Sequence, residues 1–385
     1  MTFKNLSKLA IFLIATVTIS GLFFGFTSSA NAQSGSNSSD QKILEGYIKS
    51  KQTTTCKDNP TENPDAKCEY VNVLLLDATV LPPIAVKNEL NQDQVSQNWV
   101  VGDRVIVVST KKVDGTTDYF IRDPDRQIQL WLFAILIIVV AFVIARIKGL
   151  MALLALCLST LVIFSIFIPN ILNGGNMIFW GFLSTLIILI INQLVGHGFT
   201  KSSMIGLFSG IITLIAAWII GWLAGYAFKL TGGAGDAIVF LRAEKGAGFD
   251  FRGLLLAGMM IGVTGAIDDV VAAQVSSTEE LVLSNRNIKF GELFSSSLRI
   301  GKEHIVSMIN TLFLAYAGAS LPLLLLFYMN MDQSITQLMS REDLAEEIVR
   351  SGVGSIALLL VVPLATFCSA LFYKRPEWLS SRRKK

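Results

Sequence analysis

Two adjacent carboxylates inside a long apolar run are the residues best placed to do chemistry in this chain. The run covers residues 253–276, and it holds Asp268 and Asp269 well away from its ends. Roughly 20 apolar residues cross a bilayer, and a charge at such a depth costs about 3 kcal/mol or more to insert. Buried membrane acids usually face a bundle interior, a partner or water, so the pattern predicts a site for a proton or a cation.

A second polar pair is expected at the same depth on a neighbouring span. Asn310 lies seven residues from Glu303, at the start of the next apolar span, as Asp268 lies eight residues from Ser276. Because adjacent helical residues differ by about 100°, only one of the two aspartates can face the bundle centre, and the sequence does not say which. The candidate intramembrane ion or proton site is therefore Asp268, Asp269, Asn310 and Thr311. The alternative is a polar cluster that only holds helices together.

Other polar residues lie nearer the same inner face. Gln274, Glu303 and His304 are three of them, and Asn192 and Gln193 end the third apolar span. His197 follows in a short loop, where the pattern favours a solvated histidine over a ligand.

Three glycines share the apolar run with the aspartates. Gly258 and Gly262 form a small-xxx-small pair, and Gly265 follows. Such residues let a neighbouring helix backbone approach closely, so the sequence predicts a helix-packing face here.

The composition places these residues in a membrane protein. The chain is 52% hydrophobic and only 16% charged, with a mean hydropathy of +0.56, whereas soluble domains carry about 25% charged residues. An all-α polytopic bundle of about seven transmembrane helices over residues 128–373 is therefore expected. The apolar spans are 128–145, 149–168, 176–195, 203–228, 253–276, 303–328 and 355–373.

Residues 1–32 resemble a secretion signal. Lys4 and Lys8 precede the apolar run Leu9–Phe26, and Ala30-Asn31-Ala32 is an A-x-A cleavage pattern. The run is longer than a usual signal core, so a signal peptide and an uncleaved signal anchor both stay open. Residues 33–41 are rich in Ser, Asn and Gly, which favours a disordered linker, and residues 374–385 form a basic tail.

Residues 42–127 predict a small β domain outside the cytoplasm. Cys56 and Cys68 flank a turn-rich segment, and in an exported domain they would form a disulfide that contributes about 3 kcal/mol; a free redox pair is the alternative. The candidate strands are Ile43–Ile48, Glu69–Asp77, Arg104–Ser109 and Asp118–Ile121.

The positive-inside rule supports this orientation. With the β domain outside, basic residues concentrate in the cytoplasmic loops and the tail, while the outer loop 329–350 is acidic. The C-terminus is then expected in the cytoplasm. The cytoplasmic basic residues are Arg146, Lys148, Lys201, Arg286, Lys289, Arg299, Lys302, Lys374, Arg375, Arg382, Arg383, Lys384 and Lys385.

Known catalytic signatures find little support in this sequence. No Walker A motif or G-x-S-x-G elbow occurs, and Gly233-Ala234-Gly235-Asp236 matches the GxGD pattern of intramembrane proteases only in an outer loop. Two histidines make a histidine-based metal site improbable, and the basic residues form no folded face for nucleic acid. We expect neither catalysis nor a cofactor or metal.

Three motifs stand out in the apolar part of the chain. They are Phe251-Arg252-Gly253-Leu254 with Gly262-Val263-Thr264-Gly265-Ala266-Ile267-Asp268-Asp269-Val270, then Phe290-Gly291-Glu292-Leu293-Phe294, then Asn310-Thr311-Leu312-Phe313-Leu314-Ala315-Tyr316-Ala317-Gly318-Ala319-Ser320-Leu321-Pro322. These motifs resemble the YibE/F-like family of bacterial multipass membrane proteins. The resemblance extends over residues 42–330 and implies the bacterial inner membrane and this architecture, but no established reaction or substrate. Many members carry a single acid where this chain has Asp268-Asp269.

The leading hypothesis is a transporter or permease-like protein with a proton- or cation-coupled acidic site. The alternative is a non-transporting membrane scaffold whose outer β domain binds a partner. The expected partners are the lipid bilayer and a small solute or ion, with a homo-oligomer or a membrane partner protein also compatible with the sequence.

Overall fold

The computed structural model describes residues 41–55, 67–76, 84–90, 100–111, 116–246, 248–329 and 334–373. The chain divides into two compact units, Met1–Val140 and Ala141–Lys385. The expected signal, the tail 374–385 and the linker up to residue 40 lie outside the described residues. Gln41, the last residue of the expected linker, opens the first strand.

The first unit contains a five-stranded antiparallel sheet in the order β3-β2-β1-β4-β5. Alternate residues of its strands form a buried apolar core that includes Ile48, Val71, Val73, Val105 and Val107. The strands are β1 (Gln41–Thr55), β2 (Lys67–Leu75), β3 (Ile84–Leu90), β4 (Arg104–Lys111) and β5 (Thr117–Pro124).

The four predicted strands are all present, and each differs somewhat in its bounds. Strand β3 is not among the predicted strands, because Pro82-Pro83 indicates a turn and Lys87-Asn88-Glu89 interrupts the apolar alternation. Cys56 lies outside the described residues, so its disulfide with Cys68 stays a prediction.

The described residues after β5 are mostly helical. Side chains of Asn176, Thr200 and Asp250 cap three helices by accepting a backbone N–H three residues later. The helices are α1 (Gln127–Val162), α2 (Ile168–Leu172), α3 (Met177–Ile191), α4 (Lys201–Ala227), α5 (Asp236–Lys245), α6 (Phe251–Ser284), α7 (Phe290–Ala319), α8 (Leu321–Met329), α9 (Ile335–Met339) and α10 (Glu342–Tyr373). One π-helical turn, Ile163–Phe167, joins α1 to α2, and another, Asn192–Gly196, follows α3.

Five helical segments of the described chain are long and apolar enough to cross a membrane. A sixth is reached if α7 and α8, which meet at a bend of 67°, count as one broken span. The bend falls beside Pro322, which lacks the N–H that a continuous helix needs.

The first of these segments, Gln127–Leu172, has 46 residues. Arg146 interrupts it with φ 52° and ψ −134°. A Cβ on Gly149 would lie 2.5 Å from the carbonyl oxygen of Ala141, whereas residues eight apart in a continuous helix are separated by about 12 Å. The chain therefore folds back on itself at Arg146.

Helix α6 is the centre of the second unit, where it packs against α3, α4, α7 and α10. Contacts at Met177–Gly253 and Gly181–Ala257 show that α3 runs parallel to α6, and contacts at Gly354–Val263 and Thr366–Gln274 show the same for α10. Contacts at Gly206–Val271 and Gly221–Leu256 show that α4 runs antiparallel. Residues such as Met259, Met260 and Val263 are fully buried on the packed faces of α6.

The expected packing face of Gly258, Gly262 and Gly265 is instead an exposed strip of α6. A Cβ on Gly258 or Gly265 would meet no atom of the described chain within 4 Å, and one on Gly262 would meet only the Tyr316 hydroxyl, at 3.0 Å. The close contacts of α6 involve Gly181, Gly206 and Gly354 of the neighbouring helices and Gly253 at the start of α6 itself.

Candidate functional site

The carboxylate of Asp268 lies inside the helical bundle, with 6% of the residue exposed. The Gln193 side-chain amide donates a hydrogen bond of 2.7 Å to its Oδ1. His197 Nε2 lies 3.6 Å from its Oδ2. Each carboxylate oxygen therefore has a different polar neighbour, a neutral amide on one side and a titratable imidazole on the other.

Gln193 reaches Asp268 because of the π-helical turn at the end of α3. An extra residue in a helical turn changes the direction of the side chains that follow, and such turns are frequent at functional sites. The preceding Asn192 accepts a hydrogen bond of 3.0 Å from the Ser159 hydroxyl on α1, which fixes the turn. Gly206 on α4 leaves the space, since a Cβ there would lie 2.6 Å from Gln193 Oε1.

His197 occupies the loop between this turn and α4, and 42% of its side chain is exposed. Its contact with Asp268 raises the pKa of His197 above the ordinary 6.5; partial burial and the charge of Lys148 oppose this rise, while Asp269 adds to it. Because the charge of Lys148 acts on His197, the nearby chain reversal at Arg146 lies at the same end of the bundle as His197. The sequence favoured a solvated loop histidine; the structure instead pairs His197 with the buried acid.

The other predicted site residues lie apart from Asp268. Asp269, Asn310 and Thr311 are exposed, and the Thr311 hydroxyl donates to the Ser307 carbonyl of its own helix. Within the described residues, no hydrogen bond joins Asn310 or Thr311 to either aspartate. The 100° step between adjacent residues thus turns Asp268 inward and Asp269 outward.

The depth expected for Asn310 agrees with the structure. Gly262 lies opposite Tyr316 on the antiparallel α7, and Asp268 and Asn310 each lie six residues further along toward the His197 end. The two residues share a level but face different surroundings, because hydropathy predicts depth and not the direction of a side chain.

The family model for YibE/F-like protein matches residues 132–375. This match covers well over half of the chain and nearly all of its helical part. The chain belongs to the YibE/F-like family. The match begins after the β domain, so it supports the family for the bundle and not for residues 42–127. No curated protein and no solved structure matches the chain.

The bundle of this YibE/F-like chain contains a second buried polar cluster, centred on Gln274 of α6. Its side-chain amide nitrogen contacts the Ser297 carbonyl and hydroxyl oxygens at 2.9 Å and the Thr366 hydroxyl at 2.7 Å. Thr278 contacts Ser297 as well. These neutral groups join α6 to α7 and α10, so the cluster fits a structural role.

A third cluster joins the ends of α4, α6 and α10. Ser202 donates a hydrogen bond of 2.6 Å to Glu279, and the buried Tyr373 hydroxyl lies 3.3 Å from the same carboxylate oxygen. The sequence does not predict that Gln193 and His197 contact Asp268, or that Ser202 and Tyr373 contact Glu279, because only the tertiary contacts of α6 bring these residues together. In the described part of the chain, no group of three or more His, Cys, Asp or Glu residues could hold a metal ion.

Proposed function

We propose that this YibE/F-like protein is a proton-coupled permease of the bacterial inner membrane, with no enzymatic activity, in which Asp268 binds the coupling proton. One observation carries the proposal: a buried carboxylate in the middle of a membrane helix contacts a part-exposed histidine in a loop. Intramembrane acids of this kind mark proton and ion pathways in many transporters.

The pair offers a simple exchange of one proton. A protonated His197 forms an ion pair with the Asp268 carboxylate, and transfer of the proton leaves a neutral imidazole and a neutral acid. Gln193 supports the carboxylate by donating to its other oxygen. His197 would then pass protons between the loop surface and Asp268, while the protonation of Asp268 would favour one arrangement of α3 against α6.

The proposal includes a bundle of seven spans. The reversal at Arg146 divides the first apolar segment into two, and α7 with α8 forms one broken span. The β domain would lie outside the cytoplasm, and the His197 loop and the C-terminus inside, as the distribution of basic residues favours.

The test uses purified protein with the substitutions Asp268→Asn and Asp269→Asn, the second as a matched control of the same chemistry one residue away. The melting temperature is measured across pH and with Na⁺, K⁺, Mg²⁺ and Ca²⁺, and proton flux is followed with a pH-sensitive dye in proteoliposomes. We expect Asp268→Asn to remove the pH-dependent part of the melting curve and the flux, and Asp269→Asn to retain both.

A scaffold without transport is the competing function, and the hydrogen bonds of Gln274 favour it, since they show that polar groups of α6 also hold helices together. It predicts that Asp268→Asn melts lower by the same amount at every pH. That outcome would contradict a proton-binding role for Asp268, on which the permease proposal depends, and would direct attention to partners of the β domain.

A further inference from the structure

Glu346 of α10 is a buried carboxyl group at the opposite end of the bundle from His197. The residue is 6% exposed, and its Oε1 has no hydrogen-bond partner among the described residues. The backbone amide of Ala234, in the glycine-rich loop before α5, approaches the carboxyl group. An ionised carboxylate buried in protein needs donors on both oxygens, and this site supplies a donor on one side only.

The charged neighbours of Glu346 have other partners. Arg350, one turn further along α10, forms an ion pair of 2.9 Å with Glu347, although its buried Nε has no hydrogen-bond partner among the described residues. Glu342, one turn earlier, accepts a hydrogen bond from the Thr231 backbone N–H. Within the described residues, Glu346 therefore forms no ion pair, and the nearby charge of Arg350 reaches it only from a distance.

The surroundings fit a proton better than a metal ion. Calcium takes about 6–8 oxygen ligands and magnesium about six, whereas the described residues around Glu346 include no group of three or more His, Cys, Asp or Glu that could hold a metal ion. A proton needs a single oxygen atom, and the neutral acid that results lowers the demand for hydrogen-bond donors.

We propose that Glu346 is a second proton-binding site, at the end of the bundle opposite His197. Gly354 of α10 packs against Val263 of the parallel α6, so Glu346 and Asp268 are separated by 13 residue steps along the bundle, or about 20 Å. If the proposed permease is correct, Glu346 and Asp268 are the two ends of its proton route; the proton site itself does not depend on transport.

Infrared spectroscopy of the full-length protein, labelled with ¹³C-glutamate, tests this site directly. The label shifts the C=O band of protonated glutamate away from that of aspartate, and the band is followed as pH is raised. We expect one glutamate carboxyl to titrate separately from the exposed glutamates. This component is lost in Glu346→Gln and kept in Glu347→Gln, which removes a neighbouring carboxylate on the same helix.

A wild-type spectrum in which all glutamates titrate together would overturn the proposal without any variant. Equal loss of the component in Glu347→Gln would overturn the assignment to Glu346. The Asp268→Asn variant separates the two proposals. Proton flux that survives in this variant contradicts the permease mechanism, whereas the C=O band of glutamate still tests whether Glu346 binds a proton.

Discussion

At the scale of residues, Asp268 and Asp269 show how one helical step separates two identical side chains. Asp268 contacts an amide and an imidazole inside the bundle, while Asp269, about 100° further around α6, is exposed. That only one acid would face the centre was predictable from helix geometry. The partners of Asp268 were not predictable, because Gln193 and His197 come from a helix end and a loop about 70 residues earlier in the chain. A local sequence pattern shows which face of a helix is apolar, but not which helices pack against it.

The pair of His197 and Asp268 predicts a stability that depends on pH. Because its contact with Asp268 raises the pKa of His197 in the folded protein, the stabilisation is fully present below the ordinary value of 6.5 and is lost as pH rises through the folded-state pKa. We expect His197→Gln to lower the melting temperature most at acidic pH and little at alkaline pH. His304→Gln, at an exposed histidine of α7, provides the control. A pH-independent effect of His197→Gln would mean that the imidazole only fills space.

At the scale of elements, apolar runs in the sequence were sufficient to locate the long helices and four strands. In the structure, the side chains of Asn176, Thr200 and Asp250 cap the starts of three helices. The faces of those helices were less predictable. The glycines of α6 suggested a packing face, yet α6 is packed through Met259, Met260 and Val263, because several helices surround it and the largest side chains determine which faces are covered. The π-helical turn at Asn192–Gly196 has no simple sequence signature.

The space that Gly206 leaves predicts a sensitive position on α4. A methyl group there would lie 2.6 Å from Gln193 Oε1, so Gly206→Ala should displace the amide from Asp268. We expect a loss of about 1–3 kcal/mol in the free energy of unfolding, from overpacking and a weakened buried hydrogen bond.

Gly225→Ala is the matched control on the same helix, since its Cβ would meet no atom of the described chain within 4 Å. It should be neutral or slightly stabilising, because alanine favours a helix by up to about 1 kcal/mol over glycine. Denaturation in detergent compares the two. Equal stability of both variants would show that Gln193 adjusts at no cost.

The Gln274 cluster predicts a purely structural effect. Gln274→Leu removes the amide that contacts Ser297 and Thr366 and leaves their polar atoms buried. Interhelical hydrogen bonds in membrane proteins contribute about 0.6 kcal/mol on average and up to about 1.7, so a loss of about 1–3 kcal/mol is expected from this set. Ser276→Ala, at an exposed site of the same helix, should leave stability unchanged. The pH dependence of the melting temperature should survive Gln274→Leu. If it disappeared, the pH dependence could not be attributed to His197 and Asp268 alone.

At the scale of the whole molecule, the sequence analysis separated a β domain from a helical bundle, and the family match to residues 132–375 supports the bundle. The number of spans depends on the break in the first apolar segment at Arg146. A straight helix of 46 residues would extend about 69 Å, more than twice the hydrocarbon thickness of about 30 Å. Uninterrupted, it would also carry Arg146 and Lys148 near its centre, where each charge is costly to insert.

The reversal at Arg146 therefore predicts the membrane topology. In a protein whose cysteines have all been replaced, single cysteines at Val100, Lys148, Asn173 and Lys201 are tested with a membrane-impermeant thiol reagent from each side. We expect the cysteines at 148 and 201 to react from one side and those at 100 and 173 from the other, because two spans separate the β domain from residue 173. If the first apolar segment crossed only once, the cysteine at 201 would react from the same side as that at 100, and the cysteine at 148 would be shielded by lipid. The first pattern places His197 on the side opposite the β domain, in agreement with the proposed cytoplasmic position of its loop.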